Sequence, residues 1–100
     1  MKVLKGIISD SWAYYQNIRS QLEKKLKQLP RGSVKKRVLG NQVYYYHQYR
    51  EGDKVVHKYL GKERPEKLDR EAKERRLIMY QLREVRDSIK LLSKVHPHNA

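Results

Sequence analysis

The chain of 100 residues contains no cysteine and no phenylalanine. The first absence excludes a disulfide framework and any thiolate metal centre, and agrees with a cytoplasmic location. The second, together with a charged fraction of 35%, leaves little material for an apolar core. A single small domain of this kind must draw its stability from long amphipathic helices or from a second copy of itself. Acidic residues are also in short supply, 11 against 24 lysines and arginines, for a formal net charge of +13. That excess predicts a polyanionic partner, nucleic acid ahead of an anionic membrane; the plainer consequence would be a solvated basic surface with no dedicated partner. Long apolar runs are missing, and no stretch approaches the ~20 residues of a membrane span. In the opening segment Lys5 interrupts the apolar residues and Asp10 follows them, which argues against a secretory signal. No membrane partner is therefore expected. There is no internal repeat and no low-complexity segment.

What the chain does contain is organised around Ser33 to Gly61, SVKKRVL-GN-QVYYYHQYR-EGD-KVVHKYLG. Three runs rich in Val, Tyr and Lys are separated by two short turn signals. They predict a three-stranded antiparallel meander over about 33–39, 42–50 and 54–60. A two-residue loop at Gly40-Asn41 sets Leu39 opposite Gln42, Val38 opposite Val43, Lys36 opposite Tyr45 and Val34 opposite His47. A three-residue loop at Glu51-Gly52-Asp53 sets Tyr49 opposite Val55, His47 opposite His57 and Tyr45 opposite Tyr59. Period-two alternation then gives one face to Val34, Lys36, Val38, Val43, Tyr45, His47, Tyr49, Val55, His57 and Tyr59. The other face receives Lys35, Arg37, Tyr44, Tyr46, Gln48, Arg50, Val56, Lys58 and Leu60. The first is the better core; the second is a basic surface with aromatics running through it.

The flanks read as helices. Residues 1–8 form a short apolar lead-in. Ser9, Asp10 and Ser11 offer capping side chains, and Trp12, Tyr15, Ile18, Leu22, Leu26 and Leu29 then recur at helical spacing, predicting a helix within 9–29. Pro30 and Gly32 end it. After the sheet at 33–61, Pro65 with Glu66, Asp69 and Glu71 marks the start of a second helix over 64–95. Ile78, Leu82, Val85, Ile89 and Leu92 form a coiled-coil-like seam of about two heptads. By rise per residue the second helix should reach ~45 Å against ~30 Å for the first. Its apolar residues, with Met79 and Leu91 added, exceed what one antiparallel neighbour hides. A homodimer through residues 78–92 is the expectation, and residues 1–8 folding back over the surplus is the competing account. Residues 96–100, His96-Pro97-His98-Asn99-Ala100, predict a disordered tail.

No catalytic set is present. Acids fall on helix starts and in one turn, where capping and hairpin roles explain them. Gly-rich phosphate loops and Ser-His-Asp patterns are absent, so neither an enzyme nor a cofactor is expected. The histidines His47 and His57 are cross-strand neighbours in this register, but two imidazoles make a poor zinc site, and His96-Pro97-His98 is too short to rank higher; no metal is expected. The strongest functional signal is the outer sheet face. Lys35, Arg37, Arg50 and Lys58 can neutralise phosphates, Tyr44 and Tyr46 can stack on bases, and Gln48 can read a base edge. Tyrosine is also an ordinary strand residue, and strand lysine also blunts edge-to-edge aggregation. A second basic cluster, Lys67, Arg70, Lys73, Arg75 and Arg76, is interleaved with Glu71 and Glu74 and reads as a solvated, salt-bridged helix face.

Leu29-Pro30-Arg31-Gly32-Ser33, Tyr44-Tyr45-Tyr46, Tyr49-Arg50-Glu51-Gly52-Asp53-Lys54-Val55 and Lys58-Tyr59-Leu60-Gly61-Lys62 together resemble a family of small bacterial, archaeal and mobile-element proteins of unknown activity. Its pattern looks like LPxGS…YYY…YREGxKV…KYLGK, followed by a proline and a long charged helix. The resemblance covers about residues 28–66 and implies no catalytic residues. A looser likeness, at the level of fold alone, is to the three-stranded arm-binding domains of phage integrases, which lay a meander in the DNA major groove.

The expectation is therefore an α+β chain: N-terminal helix, three-stranded antiparallel meander, long C-terminal helix, the helices paired antiparallel. Its expected function is non-catalytic nucleic-acid binding, DNA ahead of RNA, as an accessory factor of a mobile element. The alternative is a protein-interaction or inhibitor module whose basic face meets an acidic or nucleic-acid-handling protein.

Overall fold

The computed structural model describes residues 2–96. Helix α1 (Lys2–Lys27) leads into strands β1 (Ser33–Leu39), β2 (Gln42–Glu51) and β3 (Lys54–Gly61), and helix α2 (Glu66–Ser93) follows. The strands form one antiparallel sheet in the order β1-β2-β3, so the architecture is α+β. The chain divides into two compact units. One joins α1 to the part of α2 from Ile78 onward; the other spans Gln28–Leu77, the sheet and the first turns of α2. The expected tail residues 97–100, His98 among them, lie outside the described residues.

In the helical unit the two helices run antiparallel. Arg86 donates to Glu23 at 3.5 Å, while Trp12 stacks on His96 with centroids 4.9 Å apart and planes 8° from parallel. The partner numbers rise on one helix as they fall on the other. The ion pair is half-exposed on both sides, a geometry worth only about 0–1 kcal/mol, so it marks register more than it stabilises. Ile78, Leu82, Val85 and Ile89 are all buried, at the spacing that places one stripe of α2 inward. The seam from which self-association was expected is thus buried within one chain, and Met79 and Leu91 remain exposed.

Residues 2–8 are not a lead-in, for α1 already begins at Lys2. Ser9, Asp10 and Ser11 therefore sit inside the helix and do not cap it. Nothing upstream forbids helix: there is no proline, and the single glycine, Gly6, costs about 1 kcal/mol relative to alanine. Adding turns to a nucleated helix is easy. Val3, Leu4 and Ile7 are 75%, 55% and 57% exposed, so this segment does not fold back over the rest. The helices are nearly equal, 26 and 28 residues, and the anticipated length mismatch is absent.

In the sheet unit α2 starts where the sequence indicates. The Asp69 N–H donates to the Pro65 carbonyl at 2.9 Å. The Asp69 carboxylate accepts from Arg64 at 3.1 Å and lies 3.2 Å from Lys73. The hydrogen bond from Arg64, then that from Lys73, holds the Asp69 carboxyl below the usual carboxylate range, and the same pairing raises Arg64. Ala72, one turn on, is buried. Among the described residues no strand side chain is fully buried, so the core lies on α2 and not on the sheet face expected to carry it. The physical reason is the scarcity of large apolar groups on that face, where Lys36 and His47 interrupt the valines and tyrosines.

The first hairpin has the expected register, with Leu39 opposite Gln42 and Val34 opposite His47. The second does not. Glu51 pairs with Lys54, leaving a two-residue loop, Gly52-Asp53, and Tyr49 faces Val56, Gln48 faces His57 and Tyr46 faces Tyr59. Gly52 has φ 62° and Asp53 is not in the positive-φ region. This is the glycine-first pattern of a type II′ turn, whose twist suits a two-residue hairpin. The register changes between Tyr46 and Tyr45, which pairs with Gly61, so Leu60 is the extra residue of a bulge.

The loop into β1 is fixed by a close backbone approach. Gly32 has φ 86°, and a Cβ there would overlap the Gln48 carbonyl oxygen and come within 2.8 Å of the Tyr49 Cβ. His47 Nε2 lies 2.6 Å from the Arg31 carbonyl oxygen; a carbonyl only accepts, so Nε2 carries the proton in this bond. Gly32→Ala should cost about 2 kcal/mol or more, because both backbone conformation and space are wrong for a side chain. Gly40→Ala, with nothing within 4 Å of the added carbon, should cost only about 1 kcal/mol through its positive φ; urea titration of the two variants gives the ordering.

A second expectation concerns acid. A carboxylate whose folded-state pKa is lowered stabilises the protein above its unfolded value and loses that contribution as pH falls through the folded value. Asp69→Asn should therefore lower the melting temperature at neutral pH and narrow its gap to the parent protein below about pH 4. A gap that stays constant across that range would show that the Asp69 pairs do not contribute.

Candidate nucleic-acid interface

The β2–β3 register decides which side chains share a surface. One face carries Val34, Lys36 and Val38 of β1, Val43, Tyr45, His47 and Tyr49 of β2, and Val56 and Lys58 of β3. The opposite face carries Lys35 and Arg37, then Tyr44, Tyr46, Gln48 and Arg50, then Val55, His57 and Tyr59. Six of the seven candidate binding residues, Lys35, Arg37, Tyr44, Tyr46, Gln48 and Arg50, therefore lie together. The seventh, Lys58, stands opposite His47 on the other face. The displacement follows from the second turn, which is one residue shorter than expected and so inverts the lower part of β3. For the same reason His47 and His57 are not cross-strand neighbours but point to opposite faces.

The first face belongs to the body of this unit. Val34, Lys36 and Tyr45 line a cleft with Arg64 and Asp69, and His47 lies against Tyr49 with ring centroids 4.7 Å apart. The second face is open. Lys35, Arg37, Arg50 and His57 are exposed, and Tyr44, Tyr46 and Gln48 are half-buried. Lys35, Arg37, Tyr46, Gln48 and His57, with Lys36 beside them, border a concavity across the three strands.

Two residues that sequence reasoning missed complete this surface. Tyr59 lies 6.2 Å from Tyr44 and 5.5 Å from Tyr46, centroid to centroid, with planes tilted by 49° and 55°. Lys62, just beyond β3, places Nζ 6.0 Å from the centroid of Tyr44, and Arg37 places Cζ 5.7 Å from that of Tyr46. The result is a ladder from Arg37 through three rings to Lys62. Each exposed cation–ring contact is worth roughly 0.5–1 kcal/mol, enough to bias where a long side chain stands. Gly52-Asp53 has the same glycine-first form as Gly40-Asn41, but Glu51-Gly52-Asp53 reads equally as a three-residue loop.

The face has no acidic residue. Among the described residues no carboxylate lies within 4 Å of Lys35, Arg37, Arg50 or Lys62. In the basic cluster at the start of α2, Lys73 is paired with Asp69. Among the described residues no group of three or more His, Cys, Asp or Glu could hold a metal ion, and no helix is long and apolar enough to cross a membrane.

The two faces should answer differently to truncation. Tyr45→Ala should cost about 2–3 kcal/mol, as removal of a packed aromatic does. Tyr59→Ala should cost under about 1 kcal/mol, a surface ring contact being the main loss. Thermal melts in the reverse order would mean that the faces are exchanged.

No curated protein and no solved structure matches the chain. A family model described as a domain of unknown function (DUF6788) matches residues 12–70, a span holding the whole sheet, the loop with Gly32, and the Arg64–Asp69 pair. Since this is more than half of the sequence, the chain belongs to the DUF6788 family.

Proposed function

We propose that the chain binds nucleic acid, without catalysis, through the acid-free face of its sheet. The observation that carries this reading is the set Lys35, Arg37, Arg50 and Lys62, four cations with no carboxylate in salt-bridge reach among the described residues. Cations left unneutralised on one surface repel one another, and a polyanion relieves that repulsion while releasing its own counterions. The net charge of +13 draws the same partner from a distance. Tyrosines between the cations add ring surface and hydroxyl groups suited to sugars and bases. An acidic protein would meet the same charges but would leave the three-ring ladder without a purpose, so nucleic acid is the better fit.

Titration against duplex DNA, single-stranded DNA and RNA at several salt concentrations tests the proposal. With about four phosphates neutralised, log K against log salt should slope near −3.6 on duplex and near −2.8 on a single strand. The double charge reversal Lys35→Glu with Arg37→Glu should weaken binding and lower the slope by about 2 on duplex. Binding that ignores salt, or none to any of the three, contradicts the proposal and leaves the protein-interaction reading.

A further inference from the structure

We infer that Tyr59 is a stacking platform for an unpaired base, so that the ligand of this face is single-stranded nucleic acid. The inference rests on the nucleic-acid reading above and adds the form of the ligand. It starts from register. Tyr59 faces Tyr46 across the β2–β3 ladder, which sets its ring on the basic face immediately before the Leu60 bulge. Of the three rings in the ladder it is the exposed one, at 51%, whereas Tyr44 and Tyr46 are half-buried.

The neighbours divide the work. Arg37 stands over Tyr46 and Lys62 over Tyr44, so those two rings already have a cation on a face. Among the described residues no cation stands over Tyr59. Its contacts with Tyr44 and Tyr46 are tilted by 49° and 55°, an arrangement that props the ring without lying flat on it. An aromatic face held in place, open to solvent and flanked by cations, is the combination by which single-strand binders hold a base on a ring and the adjoining phosphates on lysine and arginine. A duplex does not offer this contact, because its base faces are stacked on each other and only edges reach the grooves.

The test separates the base from the backbone. The probes are an oligodeoxyuridylate, an oligouridylate and an abasic oligomer of equal length, the last with the phosphates and sugars but no bases. The intact protein should hold at least one base-bearing strand more tightly than the abasic one by roughly 5- to 150-fold, and the tighter of the two identifies the preferred sugar. Tyr59→Leu should bring that strand down to the abasic level, Tyr59→Trp should keep the difference, and Lys35→Glu should weaken all three strands together. Equal affinity of the intact protein for base-bearing and abasic strands overturns the stacking inference while the proposed function stands. Failure to bind any of the three strands overturns the stacking inference, and overturns the proposed function as well where duplex DNA is also left unbound. The comparison in the intact protein holds even if a Tyr59 variant folds poorly.

Discussion

The surface described above depends on the length of one turn. Side chains on a strand alternate between faces with a period of two residues, so a turn shorter or longer by one residue transfers a whole strand's side chains to the opposite side. Gly52 accepts the positive φ, 62°, that opens a two-residue reversal, and Glu51 can then pair directly with Lys54. This single choice carries Tyr59 and His57 to the face of Lys35 and Arg37 and takes Lys58 away from it. The bulge at Leu60 then lets the strand end with Gly61 opposite Tyr45. Without that turn there is no three-ring ladder.

A second constraint keeps the opposite face on the body of its unit. Gly32 brings the chain so close to Gln48 and Tyr49 that no side chain fits, and His47 ties the same loop through the Arg31 carbonyl. These contacts commit His47 to holding the loop into β1. The Arg64–Asp69–Lys73 cluster beside Tyr45 uses charge on that side internally. Among the described residues the cations of the outer face have no such carboxylate; Arg37 and Lys62 stand over rings. On one side of the sheet Asp69 thus pairs with Arg64 and Lys73, while the other side carries no acidic residue.

Much of this was legible in the sequence. Alternating Val and Tyr between two short glycine-containing turns specified three strands, and the first register followed from counting across Gly40-Asn41. Six binding candidates fell on one face because they depend only on β1 and β2. Tyr59 and Lys62 were missed, and Lys58 misplaced, because Glu51-Gly52-Asp53 also reads as a three-residue loop of ordinary turn formers. Local composition does not choose between the two; strand pairing does. The start of α1 was obscured for a related reason, since Ser9, Asp10 and Ser11 look like a cap but serve as one only where the preceding backbone leaves the helix. The core was legible on α2, where Ile78, Leu82, Val85 and Ile89 keep strict spacing, and was wrongly extended to a sheet face broken by Lys36 and His47.

The central claim is that the β2–β3 register builds one acid-free face of cations and rings, and through-space proton contacts in the NMR spectrum of the intact protein test it most directly. Tyr59 ring protons should show Overhauser contacts with the rings of Tyr44 and Tyr46, and Gln48 should contact His57 across the strands. Contacts of Tyr59 with Tyr45, together with His47 against His57, would establish the register one residue away and contradict the account.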